Sequence, residues 1–291
     1  MTRSQRTLWG WLLLAPAASI LLLFTHWPTA ATILSSLFRP ATAVRPARFL
    51  GVENYLYLVG DPIFLKALSN NLLYALGSVV PSMTLAIMMA LWVNRKISER
   101  DFLRLAYFTP TILPMVAAAN IWLFFYTPEI GLLNRVLAVF NLPGQNWLGN
   151  PDTALYAIIV LNVWKDAGFF MLFYLAGLQA IPADLNEAAL IEGAGPWQRF
   201  WNVTFPLLAP TTLFVLINAV INAFKGVDQL FILTKGGPNN ATNLILYYIY
   251  ETAFSFFDTS YAGALTVVLL AILAALAYLK MHYLDGKVHY Q

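Results

Sequence analysis

Long apolar runs in this chain are interrupted by a few polar side chains whose types and spacing limit the chemistry they can do. Asn218, Asn222, Lys225 and Gln229 recur at steps of four, three and four, which predicts one face of a helix. Asn162, Lys165 and Asp166 fall within about one helical turn, flanked by Trp164 and Phe169, and Asn120 with Trp122 makes a smaller third group. A charged side chain at the centre of a bilayer costs about 2.5–3.5 kcal/mol on insertion scales, so such groups face a cavity or a partner. Amides that both donate and accept, with aromatic faces beside them, suit a polyhydroxylated solute. The candidate solute-pathway residues are therefore Asn218, Asn222, Lys225, Asn120, Asn162, Trp164 and Lys165. Two lysines near a pathway would also attract an anionic solute. Plainer roles stay open: an Asn within a span that only bridges helices, for about 0.6 kcal/mol, and pairing of Lys165 and Lys225 with Asp166 and Asp228.

Other chemistries find no support in the sequence. With no cysteine there is no disulfide, thiolate metal site or cysteine nucleophile. His26, His282 and His289 are scattered and make no metal-ligand pair at helical spacing, so no metal is expected. Neither a Gly-x-Ser-x-Gly elbow nor a Gly-x-x-x-x-Gly-Lys-Ser/Thr phosphate loop occurs, so the chain is not expected to be an enzyme or to cradle ATP itself. Nucleic acid is not an expected partner.

The elements that position these residues follow from hydropathy. Of 291 residues, 59% are hydrophobic and 11% charged, against about half and a quarter in ordinary soluble domains. A span needs about 20 predominantly apolar residues. The runs Leu8 to Leu37, Ala67 to Val93, Leu103 to Tyr126, Ala154 to Leu178, Phe205 to Phe224 and Tyr261 to Met281 meet that need. The expected fold is an all-α integral membrane protein of about six transmembrane helices, forming a single transmembrane domain over residues 1–291. The short connections leave no room for a separate catalytic domain of about 100 residues. Arg3 and Arg6 before an apolar run imitate a secretion signal, but the run continues through Phe24 and reads as a retained first span. Arg95, Lys96, Arg100, Arg104, Arg199, Lys280 and Lys287 join Arg3 and Arg6 on one predicted side, against Arg39, Arg45, Arg48, Lys66, Arg135 and Lys235 on the other, which places both termini in the cytoplasm. Pro81, Pro110 and Pro114 fall inside spans, where each removes a donor and tends to kink the helix. From Val52 to Val59 a short helix is expected on the outer membrane surface, with Asp61 and Pro62 opening the next helix.

Between the fourth and fifth spans the pattern changes. From Ile181 to Pro206 the sequence predicts two short helices, with Asp184 capping the first and Gly193, Gly195 and Pro196 ending it and starting the second. A helix-turn-helix of this kind, projecting on the cytoplasmic side, is a rigid docking element with a small-residue face. Glu187, Ala188 and Ala189 are followed after three residues by Gly193, and after nine more by Val203, one position, Phe205 and Pro206. That register resembles the Glu-Ala-Ala coupling loop of the permease subunits of bacterial binding-protein-dependent ABC importers. Glu192 stands where many relatives have Asp, with the charge kept. Gly51, Asn54, Tyr55, Asp61, Pro62, Phe64 and Asn71, then Trp164, Gly168, Leu175 to Gln179, Ile181 and Pro182, and finally Phe224, Asp228, Thr234, Gly236 to Pro238 and Thr242 extend the likeness to the maltose-permease-like subfamily serving carbohydrates, polyols and glycerol 3-phosphate.

The resemblance implies a transport subunit in a bacterial cytoplasmic membrane, paired with a second homologous permease, two ATPase subunits that hold ATP and Mg, and a periplasmic or extracellular solute-binding protein. It implies that Glu187, Ala188, Ala189, Gly193 and Pro206 belong to the ATPase-coupling loop, with Glu187 making a polar contact and Gly193 permitting the turn. The competing reading is a secondary transporter driven by an ion gradient. Such folds pair inverted repeats and place an acid within the membrane; here no convincing repeat is found and only Asp166 approaches the centre of a span.

Overall fold

A computed structural model describes residues 3–41, 46–95 and 98–287; Arg45, Lys96 and His289 lie outside the described residues. Within them the chain is helical almost throughout. Helix α1 (Arg3–Leu21) continues through a π-helical turn at Leu22–His26 into α2 (Trp27–Ser35). Two-residue strands β1 (Phe38–Arg39) and β2 (Arg48–Phe49) pair antiparallel, Phe38 opposite Phe49. There follow α3 (Glu53–Gly60), α4 (Pro62–Val93), α5 (Arg100–Ile112), α6 (Met115–Tyr126), α7 (Leu132–Val139) and α8 (Pro151–Ala180). The remainder comprises α9 (Ala183–Ile191), α10 (Pro196–Arg199), α11 (Phe205–Leu207), α12 (Ala209–Lys225), α13 (Asp228–Leu233), α14 (Ile245–Tyr250) and α15 (Thr259–Lys287).

Among the described residues five helical stretches are long and apolar enough to cross a membrane, and the pair α5–α6, bent by 98°, makes a sixth if counted as one broken span. The expectation of about six spans therefore holds, with the third one broken. Of the prolines flagged in the spans, Pro81 leaves α4 continuous, whereas Leu113 and Pro114 adopt extended backbone and separate α5 from α6.

Two compact units make up the chain. Residues 1–61 and 249–271 form the first, held by side chains reaching across long sequence separations. Asn54 donates to the Ser36 carbonyl (2.8 Å) and to the Ser260 hydroxyl (2.9 Å). The Tyr261 hydroxyl donates to Asp61 Oδ2 at 2.6 Å, so Asp61, at the junction of α3 and α4, is buried. The helix expected over residues 52–59 is present as α3.

The second unit, residues 62–248 and 272–291, is organised on α4 against α8. Ala67, Ala86 and Ala90 of α4 and Ala154, Ile158 and Leu161 of α8 are wholly buried. Small residues let membrane helices approach closely where lipid offers no hydrophobic drive between them. Helix α5 also lies close on α8 at Gly168, where an added Cβ would sit 1.9 Å from the Tyr107 carbonyl oxygen.

Candidate functional site

The segment between α8 and α12 is built by local signals. Proline cannot continue a helix, and the residue before it is pushed to extended backbone; Ile181 (ψ 124°) and Pro182 (ψ 133°) accordingly end α8. Helix α9 closes with a Schellman arrangement in which Ala194 N–H donates to Ala189 O (2.9 Å) and Gly193 N–H to Leu190 O (3.0 Å). Gly193 is at φ +80°, where a side chain is strained, and nothing lies within 4 Å of the position its Cβ would take. Pro196 then starts α10, and Gln198 Oε1 accepts from the Gly195 N–H at 3.1 Å. Asp184 is not the cap it was expected to be: Pro182 holds that place, and Asp184 lies in the first turn, where a negative charge suits the helix dipole. A π-helical turn at Phe200–Thr204 and α11 lead into α12. Ala189 faces inward, while Glu187, Ala188, Gly193 and Pro206 are exposed and Ile191 is 88% exposed. Trp197, Phe200, Trp201 and Phe205 stack in tilted and edge-on contacts with centroids 5.0–6.3 Å apart, stiffening the second half of the segment.

The polar residues of the spans divide into two sets. On α12, Asn222 and Lys225 are exposed and Asn218 is half-buried, on a face that adjoins the buried Val215, Ala219 and Ala223. The Asn218 amide donates back to Phe214 O at 2.7 Å, and no ion pair joins Lys225 to Asp228 among the described residues. Gln229 does not continue this face. Helix α12 ends at Lys225 because Gly226 turns extended (ψ 121°), and Gln229, on α13, is fully buried and donates to the Tyr74 hydroxyl at 2.9 Å. Asn120 is exposed on α6 and donates to Val116 O.

On α8 the residues turn toward their neighbours. Asn162 is buried and donates to Asp166 Oδ2 at 2.9 Å, and Trp164 packs edge-on to Trp122. The Lys165 ammonium does not pair with Asp166. It donates to the carbonyl oxygens of Pro110 (3.4 Å), Thr111 (3.3 Å) and Leu113 (2.6 Å), and the Thr111 hydroxyl donates back to Lys165 O at 3.0 Å. A break within a span strands carbonyl groups that lipid cannot satisfy, and one lysine on the adjacent helix serves three of them. Sequence reasoning gave no role to two further amides, Asn70 being passed over and Asn71 noted only as part of the likeness. Asn70 donates to the Asn240 and Asn243 carbonyls, and Asn71 bridges Ala223 O and Ile245 N–H.

Fold and sites together define a polytopic helical membrane protein with polar groups set into its spans and a helix pair inserted between two of them. Residues 76–290 match the family described as binding-protein-dependent transport system inner membrane component. The chain is 37% identical over 90% of its length to the sulfoquinovosyl glycerol transport system permease protein SmoG of Agrobacterium fabrum, covering 85% of that protein. It is 36% identical over 81% of its length to the trehalose/maltose transport system permease protein MalF of Thermococcus litoralis, covering 80% of it. In fold it matches a chain of a bacterial alginate ABC transporter crystallised with an alginate pentasaccharide-bound periplasmic protein, with a TM-score of 0.85, 22% identity, and coverage of 96% of this chain and 95% of that one. The chain belongs to the family of inner-membrane permease components of binding-protein-dependent transport systems. It is a multi-pass transport subunit, and the gradient-driven carrier finds no support.

Proposed function

We propose that this chain is one of two permease subunits of an ATP-driven importer for a sugar or sugar-like solute: a carbohydrate, polyol, sugar acid, phosphate or sulfonate, or glycerol 3-phosphate. The observation that carries the reading is the α9–Gly193–α10 segment, in the register of a coupling loop, with Glu187 and Ala188 exposed on it. The solute class rests on the relatives, whose names specify sulfoquinovosyl glycerol and trehalose/maltose. In this reading a separate ATPase subunit, holding ATP and Mg, receives α9, and a second copy of that ATPase receives the partner permease. Both termini and the coupling segment face the cytoplasm, and a solute-binding protein delivers its load on the other side.

The geometry supplies a lever. Only Ile181 and Pro182 separate α9 from α8, and α10 runs through the π-helical turn and α11 into α12. Rotation of α9 by nucleotide-driven closure would therefore reach both spans that carry the candidate pathway residues, Asn162, Trp164 and Lys165 on one and Asn218, Asn222 and Lys225 on the other. Switches of this kind move packed elements as rigid bodies between two arrangements. The test is ATP hydrolysis by the assembled complex in lipid, with and without binding protein and candidate solutes. Loaded binding protein should stimulate hydrolysis by the native complex, and Glu187→Ala combined with Gly193→Pro should abolish the stimulation while the complex stays assembled. Stimulation untouched by the double change would remove the coupling assignment.

A further inference from the structure

A cavity of about 760 Å³ opens beside the coupling segment, at the ends of α4 and α8, and the transport reading makes no use of it. Ile87, Met88 and Leu91 of α4 line one part and Trp197, Phe200 and Trp201 another. Two cations, Arg95 and Arg199, complete it, and no Asp or Glu is among the lining residues. The Arg199 Nε is buried and donates to nothing, and the Arg95 guanidinium rests over the Trp92 ring at 5.6 Å. A guanidinium with an unused buried donor calls for an oxyanion, which it binds through charge-assisted hydrogen bonds.

Depth identifies the anion's source. Helix α4 has 32 residues, about 48 Å at 1.5 Å per residue, against about 40–45 Å for a bilayer with its headgroups. Its last turn thus reaches headgroup level, where tryptophan rings are at home. We propose that this cavity holds an anionic phospholipid, its phosphate between Arg95 and Arg199 and its acyl chains along Met88, Leu91 and Trp201. A free phosphate would use the arginines and leave the apolar walls wet. The lipid would brace the root of the coupling segment against α4. This inference rests on the chain's place in a membrane and not on the importer reading, so the two can fail separately.

Native mass spectrometry of the purified chain, together with whatever subunits accompany it, exchanged into phosphatidylglycerol or phosphatidylcholine of the same chain length, tests it. Phosphatidylglycerol should be retained with a preference of about tenfold or more, the scale set by two arginines at an anionic headgroup. Arg95→Gln with Arg199→Gln should erase the preference, and Met88→Trp, which fills the apolar half and keeps both arginines, should displace the lipid. If the arginine variant fails to assemble, Met88→Trp decides alone. Equal retention of the two lipids, retention by Met88→Trp, or equal displacement by glycerophosphate without acyl chains would overturn the proposal. So would an assembled complex that carries no lipid because a protein neighbour covers the cavity.

Discussion

A Cβ at position 168 would lie 1.9 Å from the Tyr107 carbonyl oxygen, whereas one at position 193 would meet nothing within 4 Å. Backbone cannot yield as a flexible side chain can, and overpacking of this kind costs about 1–3 kcal/mol or more. Gly168→Ala should lower the thermal stability of the purified complex sharply, as followed by size exclusion after heating. Gly193→Ala carries only the penalty of a left-handed residue, roughly 1–2 kcal/mol at one exposed turn, and should assemble normally. Equal stability of the two variants would mean that α5 can draw back from α8. The Tyr74–Gln229 bond gives a second prediction. Gln229 Oε1 is already buried without a partner, so Tyr74→Phe leaves the whole amide unsatisfied, at about 1–3 kcal/mol. Tyr74→Phe with Gln229→Met should recover most of that loss in a double-mutant cycle.

The broken span α5–α6 joins a function to a structural need. If Lys165 chiefly satisfies the stranded carbonyls, Lys165→Met should lower stability by about 1–3 kcal/mol and leave the transport KM near the native value. A raised KM with stability unchanged would make it a solute contact instead. The break was only half legible in the sequence. Pro81, Pro110 and Pro114 all looked alike as kink signals, and what distinguishes the break at 113–114 is a partner 52 positions further along, which no local pattern reveals. Gln229 misled for a related reason: its helical spacing continues from Asn222 and Lys225, but Gly226 ends the helix and resets the register. The bonding roles of Asn70 and Asn71 on α4 were not legible, although Asn71 belonged to the likeness, because their partners lie 152 to 174 positions away. By contrast the spans, the Gly193 turn and the start of α10 were legible, since apolar run length, Pro182, Gly193 and Pro196 act on the backbone within a few residues.

For the molecule as a whole, the polar face of α12 is the surface whose surroundings matter most. The chain contains no cysteine, so each single-cysteine variant reports one position. In the assembled complex Asn218→Cys and Asn222→Cys should react with a membrane-impermeant thiol reagent, while Ala219→Cys and Ala223→Cys, each at a site 4% exposed, stay protected. Protection of all four would mean that this face borders no water. The span Trp9–Ser35 buries none of its residues within the chain, so lipid or another subunit must cover it. Its unit is closed by residues far along the chain: Asn54 meets Ser260 across 206 positions and Asp61 meets Tyr261 across 200. At a synthesis rate of about 5–20 residues per second, the N-terminal helices wait about 10–40 s for those partners to leave the ribosome. Until then the Asn54–Ser260 and Asp61–Tyr261 bonds cannot form, and a chain arrested before residue 258 should be clipped by protease near α3 more readily than the full chain. The order of manufacture thus makes the start of α15 the step that fastens the helices made first.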